Sequence, residues 1–180
     1  MIYGKGMRLR APTRADLPLF VAWLNDPEVT AGLLISLPMS LEDEETWFTN
    51  MLNRPIEQHP LVIEIQQADD WVPVGNCGVH NIDWRARSAE VGIFIGEKSF
   101  WNQGFGTDAM RLLLEHGFKT LNLNRIALDV YETNPRAIRS YEKVGFVHEG
   151  RKRQAMYKNG QYIDILIMSV LRSEWEEAQA

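Results

Sequence analysis

The run Trp101-Asn102-Gln103-Gly104-Phe105-Gly106-Thr107-Asp108-Ala109 constrains this chain more than any other stretch of it. It lies between an apolar strand-like run, Ala89–Ile95, and an amphipathic helical pattern running from about Gly104 to Lys119. In that helix Ala109, Met110, Leu113, Leu114, Gly117 and Leu121 form one apolar stripe. A strand, a glycine turn and a helix start, in that order, gather unpaired backbone N–H groups at one place. Gly104 and Gly106 permit positive φ and let a ligand approach with no Cβ in the way. The first four N–H groups of the helix lack intrahelical partners and lie at the positive end of its dipole. A phosphate or pyrophosphate suits such a site.

The spacing sorts the phosphate-binding patterns. A P-loop needs Lys-Ser or Lys-Thr after its second glycine, and here Thr107-Asp108 follows Gly106. A dinucleotide fingerprint stays formally open, since Gly104-x-Gly106-x-x-Ala109 fits it and Asp129 lies about 20 residues further on. That fingerprint should open its βαβ unit, however, and several expected strands precede this turn.

The periodicity predicts a strand at Met7–Ala11 and a helix from near Thr13, with Asp16 in its first turn and Leu17, Phe20, Val21 and Leu24 on one face. A loop at Asn25-Asp26-Pro27 leads into Val29–Pro38. A second helix opens at Ser40, with Asp43 completing an imperfect capping box. Strands follow at Leu61–Gln66, Pro73–Ile82 and Ala89–Ile95. After the glycine turn come a strand at Ile126–Tyr131, a helix at Pro135–Lys143, and strands at Val147–Lys158 and Gln161–Leu171. Asn159-Gly160 between the last two is a hairpin signal.

Two motifs then combine at a fixed distance: Gly104-x-Gly106-Thr107-x-Ala109, and Asn134-x-x-Ala137-x-x-x-Tyr141-x-Lys143-x-Gly145-Phe146. With the strand Glu90–Ile95 before them and Tyr157-Lys158-Asn159-Gly160-Gln161-Tyr162 after them, they resemble the acetyl-CoA-binding core of the GNAT N-acetyltransferase superfamily. The resemblance is to the branch holding the RimJ/RimL ribosomal-protein acetyltransferases and spermidine N-acetyltransferase, and it covers roughly residues 7 to 171. One departure is Trp101, where the family often carries Gln or Arg.

The resemblance implies an α/β (α+β) GNAT fold: one domain over residues 1–180, with a twisted mixed sheet of about seven strands flanked by helices. The strands splay apart at the cofactor site, and acetyl-CoA is the acyl donor. Its pantetheine arm is expected along the main chain of Ile93, Phe94 and Ile95. The pyrophosphate falls on Asn102, Gln103, Gly104, Phe105, Gly106 and Thr107, with Asn134, Arg139 and Lys143 near the rest. Arg139 and Lys143 can equally be solvated helix charges.

Tyr141 is the candidate acid for the departing sulfur, two helical turns from Asn134 on the same face. Glu90 occupies the position of a family glutamate and is the candidate base, with His80 as the alternative. A lysine-like or polyamine nitrogen, pKa ~10.4, costs about 4 kcal/mol to deprotonate at neutral pH; an α-amine at ~7.7–8.0 costs about 1. A weak base therefore suits an α-amine acceptor. Polyamines are the alternative, motivated by Glu42-Asp43-Glu44-Glu45, although an acidic first turn also stabilises a helix. A non-catalytic acyl-CoA-binding module is a further alternative. Acceptor choice is expected from Leu24–Met39, Ser40–Asn53 and the hairpin at Asn159-Gly160.

Composition narrows the partners. A net charge of −5 over 180 residues argues against bulk nucleic-acid binding. No apolar run approaches the ~20 residues of a membrane span, and Met1–Gly6 lacks a signal-peptide core. Cys77 is the sole cysteine, which suits a reducing, cytoplasmic setting and a core position. His59, His116 and His148 lack metal-set spacing, so no metal is expected. The expected partners are acetyl-CoA and an amine; a homodimer stays open.

Overall fold

The computed structural model describes residues 1–33, 35 and 38–179. Its strands are β1 (Ile2–Gly4), β2 (Met7–Arg10), β3 (Leu61–Gln67), β4 (Asp70–Asp83), β5 (Ser88–Ile95), β6 (Arg125–Tyr131), β7 (Val147–Lys158) and β8 (Gln161–Leu171). They form one sheet of eight strands in the order β1-β2-β3-β4-β5-β6-β8-β7. The helices are α1 (Leu17–Leu24), α2 (Pro27–Thr30), α3 (Leu41–Leu52), α4 (Phe105–Glu115), α5 (Pro135–Lys143) and α6 (Arg172–Glu177). Every pairing is antiparallel except β5 with β6.

Alternation along the strands sorts the apolar side chains into two cores. Val91, Ile93 and Ile95 of β5 and Ile126, Leu128 and Val130 of β6 face a core that α4 and α5 cover. Phe94 of β5 and Val62 of β3 face the opposite core, with Leu17, Phe20 and Trp23 of α1 and Phe48 and Met51 of α3. Ala109, Met110, Leu113 and Leu114 of α4 are fully buried. Each large apolar side chain buried this way adds about 1.5–3 kcal/mol.

The outcome differs from the expected seven strands by β1, three residues that take strand geometry only by pairing with β2. The turn between them uses Gly6 at φ 66°. A 3₁₀ turn, Arg14–Asp16, stands before α1, so the helix proper begins later than expected. Pro27 of the expected loop opens α2, which runs into the start of the Val29–Pro38 run; Leu34, Ser36 and Leu37 of that run lie outside the described residues. The predicted Gly104–Lys119 helix widens at its end into a π turn, His116–Thr120. There Gly117 lies so close to β6 that a Cβ would stand 2.6 Å from Ile126 Cδ1. Two features match their sequence signals closely. Ser40 and Asp43 form the capping box of α3, and Asn159 and Gly160 take φ 51° and 80° in the β7–β8 turn.

A charged network fixes the α1–α3 layer to the sheet. Arg10 pairs with Asp16 through both terminal nitrogens, at 2.8 and 2.7 Å, and its Nε donates to Glu64 at 2.7 Å. Arg8 also donates to Glu64. Both carboxylates are buried. Desolvation pushes the Asp16 pKa up, but hydrogen bonds from Arg10 and Thr13 outweigh it and hold the group below its ordinary value. The stability Asp16 contributes is therefore present above about pH 4 and is lost as pH falls through the lowered value. Arg10→Ala leaves buried Asp16 without its main partner and Glu64 with Arg8 alone, and should cost about 3 kcal/mol. Urea unfolding at pH 7 checks this; a loss below about 1 kcal/mol would show the network to be dispensable.

Candidate functional site

The parallel pairing of β5 with β6 lasts for three residue pairs, Ser88↔Arg125, Ala89↔Ile126 and Glu90↔Ala127, and then stops. Beyond it β5 stays with β4 as far as Gly75↔Ile95, while β6 stays with β8 as far as Tyr131↔Ile165. The end of β5 is drawn toward α1. A Cβ on Gly96 would stand 2.1 Å from the Trp23 ring, and one on Gly75 would stand 2.2 Å from the Phe94 carbonyl oxygen. The strands therefore diverge, opening a cleft of about 970 Å³.

One end of the cleft suits phosphate. Gly104 precedes α4 in the left-handed region at φ 92°. Gly106 has no such φ, contrary to the expectation from sequence. Its lack of a side chain matters for room instead: a Cβ there would have Ile95 Cγ1 as its nearest neighbour, at 3.7 Å. Thr107 Oγ1 and Ser140 Oγ stand 2.8 Å apart, joining the start of α4 to the later turns of α5. Arg136, Arg139 and Lys143, at helical spacing along α5, all line the cleft. None of the three has a carboxylate partner among the described residues. Arg136 stacks on Trp101, 4.1 Å from its ring centre. That arrangement gives the Trp101 departure a physical role: its indole N–H also donates to the Ile95 carbonyl at 2.8 Å.

The expected cofactor residues line this cleft with one exception, Gln103. Its side chain turns away and donates to the Ser99 carbonyl at 2.6 Å. Asn134 lines the cleft but uses its Oδ1 to cap α5, accepting from the Ala137 N–H at 3.1 Å. Of the expected main-chain sites on β5, the Ile95 carbonyl is already taken by Trp101. Arg136 was missed by sequence reasoning, although its spacing to Arg139 and Lys143 was a usable signal.

The catalytic candidates sit on opposite faces of the sheet. Tyr141 belongs to the core that α4 and α5 cover, with its ring 5.9 Å from that of Phe146. Burial pushes its phenol up to about 12, so at neutral pH it is a hydrogen-bond donor and not a phenolate. Glu90 alternates with Val91 and so faces the α1–α3 side. His80 is its cross-strand partner, with Nε2 3.5 Å from Glu90 Oε2. Asn81 donates to the same oxygen at 3.0 Å. The two alternative bases of the sequence reading are thus one contiguous pair.

The β7–β8 hairpin reaches the same face. Lys158 Nζ donates to the carbonyls of Thr30 and Leu33 at 2.6 and 2.8 Å, and lies 5.8 Å from the Tyr131 ring centre. Burial holds the Lys158 ammonium below its ordinary pKa. These partners are 128 and 125 residues away in sequence, so nothing local announced them. A side pocket of about 330 Å³ opens beside His80 and Phe94, lined also by Trp47 and Arg54. None of Glu42, Asp43, Glu44 and Glu45 lines either cavity. The Asp43 carboxylate accepts from the Ser40 N–H in the capping box of α3, and Glu44 is buried. Cys77 is a core residue, its thiol pushed up to about 12 by burial.

Among the described residues no helix is long and apolar enough to cross a membrane. The chain matches the acetyltransferase (GNAT) domain family over residues 7–147. It is 30% identical to spermidine N(1)-acetyltransferase of Vibrio cholerae serotype O1, over 94% of this chain and 95% of that one. It is 28% identical to the uncharacterized N-acetyltransferase p20 of Bacillus licheniformis, over 97% of each chain. The crystal structure of spermidine N-acetyltransferase from Vibrio cholerae, in complex with CoA and spermine, superposes with a TM-score of 0.87 at 27% identity, covering 96% of this chain and 99% of that one. With the family matched over residues 7–147 and the spermidine acetyltransferase structure superposing over nearly the whole chain, the chain belongs to the GNAT acetyltransferases and is an acetyl-CoA-dependent N-acetyltransferase.

Proposed function

We propose that the acceptor is a primary amine, with a peptide or protein N-terminal α-amine as the leading choice. The observation that carries the mechanism is the cleft between β5 and β6, which joins a phosphate-suited end to a polar acceptor face. The pyrophosphate of acetyl-CoA is assigned to the start of α4, with Asn102, Arg136, Arg139 and Lys143 around it. The pantetheine arm is assigned to the edge of β5 that β6 leaves, at Ile93, Phe94 and Ile95, apart from the Ile95 carbonyl that Trp101 holds. A main-chain N–H there would donate to the thioester oxygen as charge develops on it.

The amine enters from the α1–α3 face and passes a proton to the Glu90–His80 pair, directly or through water. Its nitrogen attacks the carbonyl carbon, the C–N bond forms, the C–S bond breaks with its electron pair going to sulfur, and the second proton lost from the nitrogen goes to solvent water. Tyr141 stands across the sheet to meet that sulfur. Full proton transfer from a phenol at about 12 to a thiolate of pKa ~8–9 runs uphill by about three to four units. Tyr141 therefore acts by hydrogen-bonding the departing thiolate, which is itself a fair leaving group.

The acceptor choice rests on the base. Glu90 and His80 are both partly solvated, an arrangement suited to an amine that loses its proton readily. Polyamines are the second reading, favoured by the spermidine acetyltransferase relatives. The test is thiol release from acetyl-CoA with a free-N-terminus peptide and with spermidine, for the native protein and for Glu90→Gln. Glu90→Gln should slow the peptide reaction about tenfold and the spermidine reaction by more, because the polyamine nitrogen starts about three units further from its neutral form. Equal losses would remove Glu90 from deprotonation, and no thiol release with any amine would overturn the catalytic reading.

A further inference from the structure

The acceptor side of the cleft contains a donor pair that the transfer itself does not use. Alternation along β6 puts Leu128 and Val130 into the core under α4 and α5, so Asp129 and Tyr131 face the acceptor side. Tyr131 is 5% exposed, and its buried hydroxyl has no hydrogen-bond partner among the described residues. Lys158 lies over its ring. Two of the three ammonium hydrogens serve the carbonyls of Thr30 and Leu33. Both partners are neutral, so the charge of Lys158 has no carboxylate against it among the described residues. Tyr131 and Lys158 both line the cleft.

We infer that Lys158 and Tyr131 receive the oxygen of a carbonyl or carboxylate attached next to the accepting amine, so that this protein selects α-amino carbonyl compounds over polyamines. The inference rests on the transferase reading above and narrows its acceptor. The remaining charges on this side point the same way. Among the described residues three carboxylates line the cleft, Glu28, Glu90 and Asp129. Lys98 binds Glu28 at 2.8 Å, and Lys152 binds Asp129 at 2.6 Å. Glu90 is left to meet the reacting amine, and none of the three is left for a second one. A polyamine would have to bring its next cation toward the uncompensated Lys158, a like-charge approach that disfavours it. An α-amino carbonyl compound instead brings an acceptor oxygen to two donors that lack one.

The experiment is thiol release from acetyl-CoA with an alanine-first peptide, alaninamide, alanine, propylamine and spermidine. The panel is run on the native protein, Lys158→Glu, Lys158→Met and Tyr131→Phe. In the native protein kcat/KM for the peptide or alaninamide should exceed that for propylamine and for spermidine by about tenfold or more. Alanine against alaninamide tells a carboxylate from an amide carbonyl as the preferred oxygen. Lys158→Glu should shift the peptide-to-spermidine ratio toward spermidine by about tenfold or more, and Lys158→Met should shift it less, guarding against misfolding of the charge-reversed variant. Tyr131→Phe should narrow the gap between peptide and propylamine. A native preference for spermidine, or a ratio unmoved by both Lys158 variants, would overturn the inference while leaving the transferase reading standing. Absence of turnover with every amine would overturn both.

Discussion

Gly106→Glu should weaken acetyl-CoA binding by about 100-fold or more while the protein stays folded. A Cβ at Gly106 would meet only Ile95 Cγ1, at the ordinary contact distance of 3.7 Å, so the backbone accepts the residue. An acidic side chain in the first turn of α4 also agrees with the helix dipole. The carboxylate would, however, stand in the cleft where Arg136, Arg139 and Lys143 gather positive charge. It would block the close backbone approach and repel a phosphate. Calorimetric titration with acetyl-CoA, beside a thermal melt, reads the two effects separately. Binding within about threefold of the native protein would move the pyrophosphate away from α4.

Tyr141→Phe should lower kcat by about 10- to 1000-fold with acetyl-CoA affinity nearly intact. The ring keeps its packing against Phe146, and the hydroxyl lost has no protein hydrogen-bond partner among the described residues, so stability should hold or rise slightly. The range falls short of a full general-acid contribution because the CoA thiolate can leave without a proton. Stopped-flow measurement of thiol release in a single turnover isolates this step from product release. A native-like single-turnover rate would exclude Tyr141 from the chemistry and leave it as a core residue.

The strand and helix order could be read from the sequence because its signals are local. Alternation marks β5 and β6, the apolar stripe from Ala109 to Leu114 marks α4, and Asn159-Gly160 marks the last hairpin. Where those signals are weak, the reading missed the element. β1 is three residues long and exists through its pairing with β2. The π turn at His116–Thr120 carries Gly117 closely packed on Ile126, a contact far along the chain in β6. Gln103 shares a motif with its neighbours, yet its side chain goes to Ser99, because motif membership fixes backbone position and not side-chain direction.

By itself, then, the sequence determined the glycine turn before α4, the Asn134–Phe146 segment and their spacing, which together fix the family and the phosphate-suited end of the cleft. Those features are main-chain geometry and helix termini, encoded by residues close together in the chain. Tertiary structure alone decided the arrangement of the side proposed for the acceptor. It joined Glu90 to His80 across two strands, set Arg136 on Trp101, and brought Lys158 to Thr30 and Leu33 and over Tyr131. Each of those contacts depends on how strands diverge and which face a side chain takes, and such long-range packing leaves no periodic trace in the sequence.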